Sequence, residues 1–281
     1  MIVCKTADQR ELLRSANRIV AEVLDILRQK VTLGVGVTTA ELDAAAEAHI
    51  RDCGAVPAFK GYQGFPATVC VSVNEEVVHG IPSDRVLKEG DIVSLDVGTV
   101  FEGYFGDSAI TVGVGQISES AQQLLDATKE SLERAITCMH IGAHVSDIGH
   151  AVQQYVEPLG FSVVREFVGH GIGTKLHEAP QVPNYGRPGE GPELREGMVF
   201  AIEPMVNAGR PAVRMLDDRW TAVTRDGSLS AHFEHSVAVT ADGPDVLSRR
   251  ASELADSNML SAPANRAASS QTAHAEVGEG R

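Results

Sequence analysis

Residues 94–109 read SLDVGTVFEGYFGDSA, two strand-like apolar segments with an aspartate in the middle of each. An ionised carboxylate costs several kcal/mol to bury unless it is paired or bound to a cation. Asp96 and Asp107 therefore need partners elsewhere in the chain. Glu102-Gly103 is the natural two-residue hairpin connection, because glycine takes positive φ freely. That turn pairs Phe101 with Tyr104, Gly98 with Asp107 and Asp96 with Ala109. The two carboxylates then share one face as diagonal neighbours, with Cβ atoms about 7 Å apart. That spacing leaves room for cations between them. A three-residue turn would send them to opposite faces.

Three further segments place a polar, metal-competent side chain among strand-like apolar residues. REFVGHGIGTKLHEAP offers His170, MVFAIEPMV offers Glu203, and SAHFEHSVAV offers Glu234. Taken singly, each also reads as a hydrogen-bonded core histidine or a glutamate paired with Lys or Arg. Together the five make four carboxylates and one imidazole, a donor set for a pair of hard or borderline divalent ions rather than a thiolate zinc site or copper. Two such ions can acidify a shared water and polarise a carbonyl, which is hydrolytic chemistry. His79 in NEEVVHGIP and His177 in KLHEAP fall in loop-like contexts, where an imidazole can hydrogen-bond a substrate carbonyl or a developing oxyanion. Each also reads as a surface histidine.

The elements that must hold these groups are legible from periodicity. Leu12, Leu13, Ala16, Ile19, Val20, Val23, Leu24 and Leu27 recur at helical steps and predict a helix from Thr6 to about Lys30. A second begins at TTAELDAAAEAHIRDCG, where Thr38 and Glu41 have capping-box spacing and Gly54 supplies a left-handed stop. Strand-like segments follow to about Val114. SAQQLLDATKESLERAITCMH and VSDIGHAVQQYVEPLG predict two more helices, and further strands run to about Leu247. Two similar halves are suggested: superposing them matches Gly36 with Gly142, Glu41 with Asp147, Leu42 with Ile148 and Gly54 with Gly160. Two unrelated helical pairs sharing common stop signals remain the alternative reading.

Composition narrows the function further. The chain has 281 residues, of which 43% are hydrophobic, as expected of a folded globular protein. No apolar run reaches the ~20 residues of a membrane span, and MIVCKTADQRELL lacks a signal-peptide core, so the expected location is the cytoplasm. Cys4, Cys53, Cys70 and Cys138 form no CxxC pair, which argues against disulfide frameworks and zinc fingers. A net charge of −14 argues against DNA as a partner. From Ser248 the chain is rich in Ala, Ser and charge, and residues 248–281 are expected to form a disordered tail behind a 1–247 catalytic domain. GHGIGTK lacks phosphate-loop spacing, and Ser94, Ser108 and Ser236 lack a nucleophile-elbow context. His49, His140, His144 and His150 read as solvated helix residues, and Met198 and Met205 as core filler.

The ordered set VCVSVNEEVVHGIP, DIVSLDVG, GYFGDSA, FVGHGIGTKLHEAPQV, EGMVFAIEP and FEHSVAVT closely resembles the type I, bacterial-like methionine aminopeptidase family, from about Thr6 to Leu247. The resemblance implies an α/β pita-bread fold, with a curved antiparallel sheet flanked by helices in two pseudo-symmetric halves. It implies removal of the initiator methionine from nascent polypeptides by a monomeric enzyme that could contact the ribosome transiently. Two divalent ions (Co²⁺, Mn²⁺, Fe²⁺ or Zn²⁺) would be held, Asp96 binding one, Asp107 and Glu234 bridging both, and His170 and Glu203 completing the second. Glu203 would also accept a proton from the attacking water, His177 would stabilise the tetrahedral intermediate and His79 would contact the scissile region.

The resemblance places Phe59, Tyr62, Phe65, Cys70, Leu176 and Trp220 around the methionine side chain, and a thioether favours such polarisable, aromatic walls. Phe59, Phe65 and Leu176 stand where familiar members carry cysteine, tyrosine and phenylalanine. Proline-directed peptidases of the same fold are the nearest alternative enzymes. They usually carry a large extra N-terminal domain, whereas this chain opens on the first helix of the fold. A non-catalytic binding protein on this scaffold is the alternative from another class, and it would be expected to have lost ligands.

Overall fold

The computed structural model describes residues 2–33 and 36–254. Among the described residues, helices α1 (Ala7–Leu33), α2 (Thr39–Asp52), α3 (Glu119–Thr137) and α4 (Val145–Val156) alternate with strands in the predicted order of helix pair, strands, helix pair, strands. Ile19, Val20, Val23, Leu24 and Leu27 of α1 are at most 3% exposed and lie in the main apolar core, so the helical stripe read from the sequence is the buried one. At α2, the Glu41 carboxylate accepts from the Thr38 amide at 2.7 Å. At α4, Asp147 does the same for His144, also at 2.7 Å. Gly54 and Gly160, which follow the two helices, both have positive φ (73° and 89°). The repeat inferred from matching residues thus recurs as matching helix ends.

All strand pairings are antiparallel. One sheet is built on the hairpin Ile92–Phe101/Tyr104–Gly113, flanked by Val69–Val73 and Val56–Pro57. A five-stranded sheet runs Gly243–Val246, His235–Thr240, Val199–Ile202, Gly169–Gly171, Glu178–Val182. The two sheets meet where the Glu234 amide donates to the Ala109 carbonyl at 2.9 Å and the Ser236 hydroxyl to the Asp107 carbonyl, also at 2.9 Å. Helix α1 lies across the hairpin. It comes so close at Gly106 that a Cβ there would stand 2.7 Å from the Ala16 backbone, and only glycine permits this approach.

The C-terminal boundary needs correction, because the packed body continues past Leu247. Ser248 is fully buried, its hydroxyl meeting His235 Nδ1 at 2.8 Å and accepting from the Ser236 amide at 3.1 Å. Arg249 forms a two-pronged ion pair with Glu133 at 2.5 and 2.6 Å. Arg250 is 5% exposed and pairs with Glu253, and Ser252 donates to Asp25 at 2.7 Å. A composition reading counts these side chains as unable to form a core, yet polar groups are buried readily when each has a partner. The remainder of the expected tail, residues 255–281, lies outside the described residues.

Candidate metal centre and substrate pocket

The hairpin register is the one that a Glu102-Gly103 turn requires: Phe101 pairs with Tyr104, Gly98 with Asp107 and Asp96 with Ala109. Both turn residues have positive φ, 49° and 81°, the signature of a type I′ turn. Asp107 is anchored from behind by α1, where the Asn17 side-chain oxygen accepts from the Asp107 amide at 3.2 Å. His170 sits beside a break in register between Gly169–Gly171 and Glu178–Val182, an irregularity of the kind that re-aims a side chain. Its Nδ1 lies 3.0 Å from the Gly171 carbonyl, so with the proton on Nδ1 the Nε2 lone pair faces the carboxylates. Glu203 follows directly on Val199–Ile202 and its own carbonyl accepts from Asn184 at 2.9 Å.

These segments converge. Asp107, His170 and Glu234 each offer a ligand atom within 4.8 Å of the others. His170 Nε2 is 3.7 Å from Asp107 Oδ2 and 3.5 Å from Glu203 Oε1, and Asp96 lines the same cavity. Among the described residues no Lys or Arg forms an ion pair with any of these four carboxylates. Buried oxygens of Asp96, Asp107 and Glu234 have no hydrogen-bond partner. Burial therefore drives the acids toward their neutral forms: Asp96 is pushed up to about 7, and Asp107, Glu203 and Glu234 rise well above the carboxylate range, reinforced by one another's charge. Burial lowers His170 to about 4, keeping its imidazole neutral. Unpaired acceptor oxygens around a neutral imidazole fit divalent cations, whose charge would restore the ionised carboxylates.

The cavity beside these groups measures about 220 Å³. Every site residue predicted from the sequence lines it: His79, His177 and Phe59, Tyr62, Phe65, Cys70, Leu176 and Trp220, besides the five ligand candidates. Phe59, Phe65, Cys70 and Leu176 form an apolar cluster of their own, separate from the main core, with Tyr62 and Trp220 packed on it. Phe65 meets Trp220 edge to face at 5.1 Å between centroids. Cys70 pairs with Asp96 across the sheet, which joins the apolar wall to the acids. The Tyr62 hydroxyl lies 2.8 Å from His177 Nδ1. His79 has a φ of 61°, an uncommon backbone state for a non-glycine residue and one that clusters at functional sites. Burial lowers it to about 4, and it packs edge-on to Phe167 at 5.4 Å.

The sequence reading passed over His232, which is 2% exposed, lines the cavity and points Nε2 at Glu234 Oε2 from 4.0 Å. Its two-residue spacing from Glu234 was the available signal. Met205, read as core filler, also borders the cavity while fully buried.

A cluster of acids without cationic partners and an imidazole, carried on and between the sheet strands and lining a pocket with an apolar wall, defines a metal-dependent hydrolase. Residues 11–241 match metallopeptidase family M24. The chain is 53% identical over 249 residues to methionine aminopeptidase 1 of Bacillus subtilis, covering 89% of this chain and all of that one. It is 52% identical over 247 residues to a methionine aminopeptidase of Clostridium perfringens, covering 88% and 98%. The crystal structure of methionine aminopeptidase from Thermotoga maritima superposes with a TM-score of 0.87 at 45% identity, covering 89% of this chain and 100% of that one. A prolidase from Pyrococcus furiosus shares the fold alone, at 22% identity and a TM-score of 0.71, with 65% of its chain covered. This chain belongs to metallopeptidase family M24, and its α/β architecture is the pita-bread fold.

Proposed function

We propose that the chain is a methionine aminopeptidase that removes the initiator methionine from nascent polypeptides in the cytoplasm, working as a monomer able to contact the ribosome transiently. The observation that carries this reading is that His170 Nε2 and four carboxylates without a Lys or Arg partner line the same pocket as an apolar, aromatic cluster. Asp96, Asp107, His170, Glu203 and Glu234 would hold two divalent ions, drawn from Co²⁺, Mn²⁺, Fe²⁺ and Zn²⁺. When bound, such ions supply Lewis acidity toward the scissile carbonyl and lower the pKa of the attacking water.

The remaining work falls to side chains. The pocket of Phe59, Phe65, Cys70, Leu176, Tyr62 and Trp220 seats the unbranched thioether and excludes water from the reacting end. Glu203, at the edge of the pocket, accepts the proton of the attacking water and returns it to the leaving amine. If the Tyr62 hydroxyl donates to His177 Nδ1, the His177 proton stands on Nε2. Burial keeps that imidazole neutral, and a neutral N–H can donate to the oxyanion as the carbonyl carbon becomes tetrahedral. His79, likewise neutral, lines the same cavity and would donate to the peptide at the scissile bond.

The test is release of free methionine from a Met-Gly peptide by the Co²⁺- or Mn²⁺-loaded protein, beside an Ala-Pro peptide. Turnover of the first alone is expected. Cleavage of the second in preference would move the protein to the proline-directed peptidases, and folded, metal-loaded protein inert toward both would favour a binding role.

A further inference from the structure

We infer that Glu22, His49 and Cys53 form a separate cation site between α1 and α2, suited to a thiophilic divalent ion such as Zn²⁺. His49 and Cys53 are four residues apart at the end of α2, one turn apart on a single face. Glu22 reaches them from the middle of α1. Their potential ligand atoms already converge. His49 Nε2 is 3.1 Å from Glu22 Oε2, Cys53 Sγ is 3.5 Å from the same nitrogen and 4.0 Å from the same oxygen. Tetrahedral zinc with ordinary bond lengths places such N–O, N–S and O–S pairs about 3.4, 3.6 and 3.6 Å apart. The trio therefore needs shifts of only a few tenths of an ångström to enclose an ion.

The other reading of a Cys-His-Glu trio, a nucleophilic triad, fits less well. In a nucleophilic triad the thiol and the carboxylate engage opposite ring nitrogens, whereas here both approach Nε2. The thiol is also not activated, since burial and the Glu22 charge push it up. A coordinated cation would reverse that by binding the thiolate directly. Cys53 is the C-cap of α2, at the negative end of the helix dipole, where a cation is favoured. The other Glu22 oxygen faces Arg18 at 3.8 Å, leaving Oε2 to the cluster. His49 and Glu22 are 29% and 46% exposed, so water can fill a fourth position. None of the three lines the catalytic cavity.

The experiment uses the full chain under a non-thiol reductant, saturated with Co²⁺, with bound metal counted after dialysis and the absorption spectrum recorded. A sulfur-to-Co²⁺ charge-transfer band is expected in the wild type. One equivalent of metal and the band should be lost together in Cys53→Ser and in His49→Gln, while Cys70→Ser retains both. His49→Gln preserves a hydrogen bond to Glu22 and guards against misfolding as the explanation. Methionine release by the metal-loaded Cys53→Ser protein should be unchanged. Equal metal content in wild type and Cys53→Ser, absence of the band, or its disappearance in Cys70→Ser overturns the proposal.

Discussion

Asp107 faces Gly98 across the hairpin while Asp96 faces Ala109, which puts both carboxylates on one side of the ribbon and along the same cavity. The register that produces this is fixed by the two left-handed residues of the turn, Glu102 and Gly103. An extra residue inserted between them should slip the pairing and turn Asp107 away from Asp96. Metal content and activity should fall together while the helical circular dichroism signal persists. An active, metal-loaded insertion variant would contradict the hairpin geometry as the source of the site.

Asp96→Asn should cut activity by at least about 100-fold and reduce metal retention, as expected for loss of a ligand. The same change should stabilise the metal-free protein. Asp96 is raised from 3.8 to about 7 by burial, so its contribution is fully present below pH ~4 and is lost as pH rises toward 7. An amide carries no such dependence. At pH ~8 the metal-free variant should exceed the metal-free wild type by roughly 1–4 kcal/mol, at about 1.4 kcal/mol per pKa unit. Denaturant titration in chelator measures it, and a less stable variant would refute the cause assigned.

Protons and cations compete for the same four acids, all of which burial raises. His170 is lowered to about 4 and competes only below that pH. The gain in melting temperature conferred by Mn²⁺ should therefore grow between pH ~5 and ~7.5. Calorimetry with and without chelator gives the comparison, and a gain that shrinks with pH would count against the carboxylate ligands.

His177→Ala should lower kcat by about 10²–10³ with metal content intact, the usual effect of removing an oxyanion donor. Tyr62→Phe should produce a smaller loss, roughly tenfold, since it removes only the hydroxyl that holds the His177 tautomer. Elemental analysis beside the kinetics separates this role from ligation: a metal-free His177→Ala protein would place the imidazole in the metal shell.

Truncation before Ser248 should cost about 2–4 kcal/mol relative to truncation after Leu254, at about 1 kcal/mol for each lost buried hydrogen bond plus the Arg249–Glu133 pair. Equal unfolding midpoints for the two truncations would show that segment 248–254 adds nothing.

The helices and the first hairpin were legible because their signals are local. The α1 stripe, the Thr38–Glu41 cap and the Glu102-Gly103 turn each act within a few residues of themselves. The acidic candidates stood out for a related reason: a carboxylate in apolar, strand-like sequence demands a partner, and Asp96, Asp107, Glu203 and Glu234 each sit in such sequence. The halves also share LKEGD at 87–91 and LREGM at 194–198, and the offset between these runs also carries Asp96 onto Glu203.

Tertiary structure alone decided what distant segments do to one another. Only the meeting of the two sheets at Ala109 and Glu234 brings His170 within reach of Asp107. His232, the burial of Ser248 and Arg250, and the convergence of Glu22 on His49 and Cys53 all depend on contacts between segments far apart in sequence. A sequence states which side chains cannot be left unpaired, through the cost of burying charge. Which partner satisfies each one is set by packing, because the chain has to close many such contacts at once in a single compact arrangement.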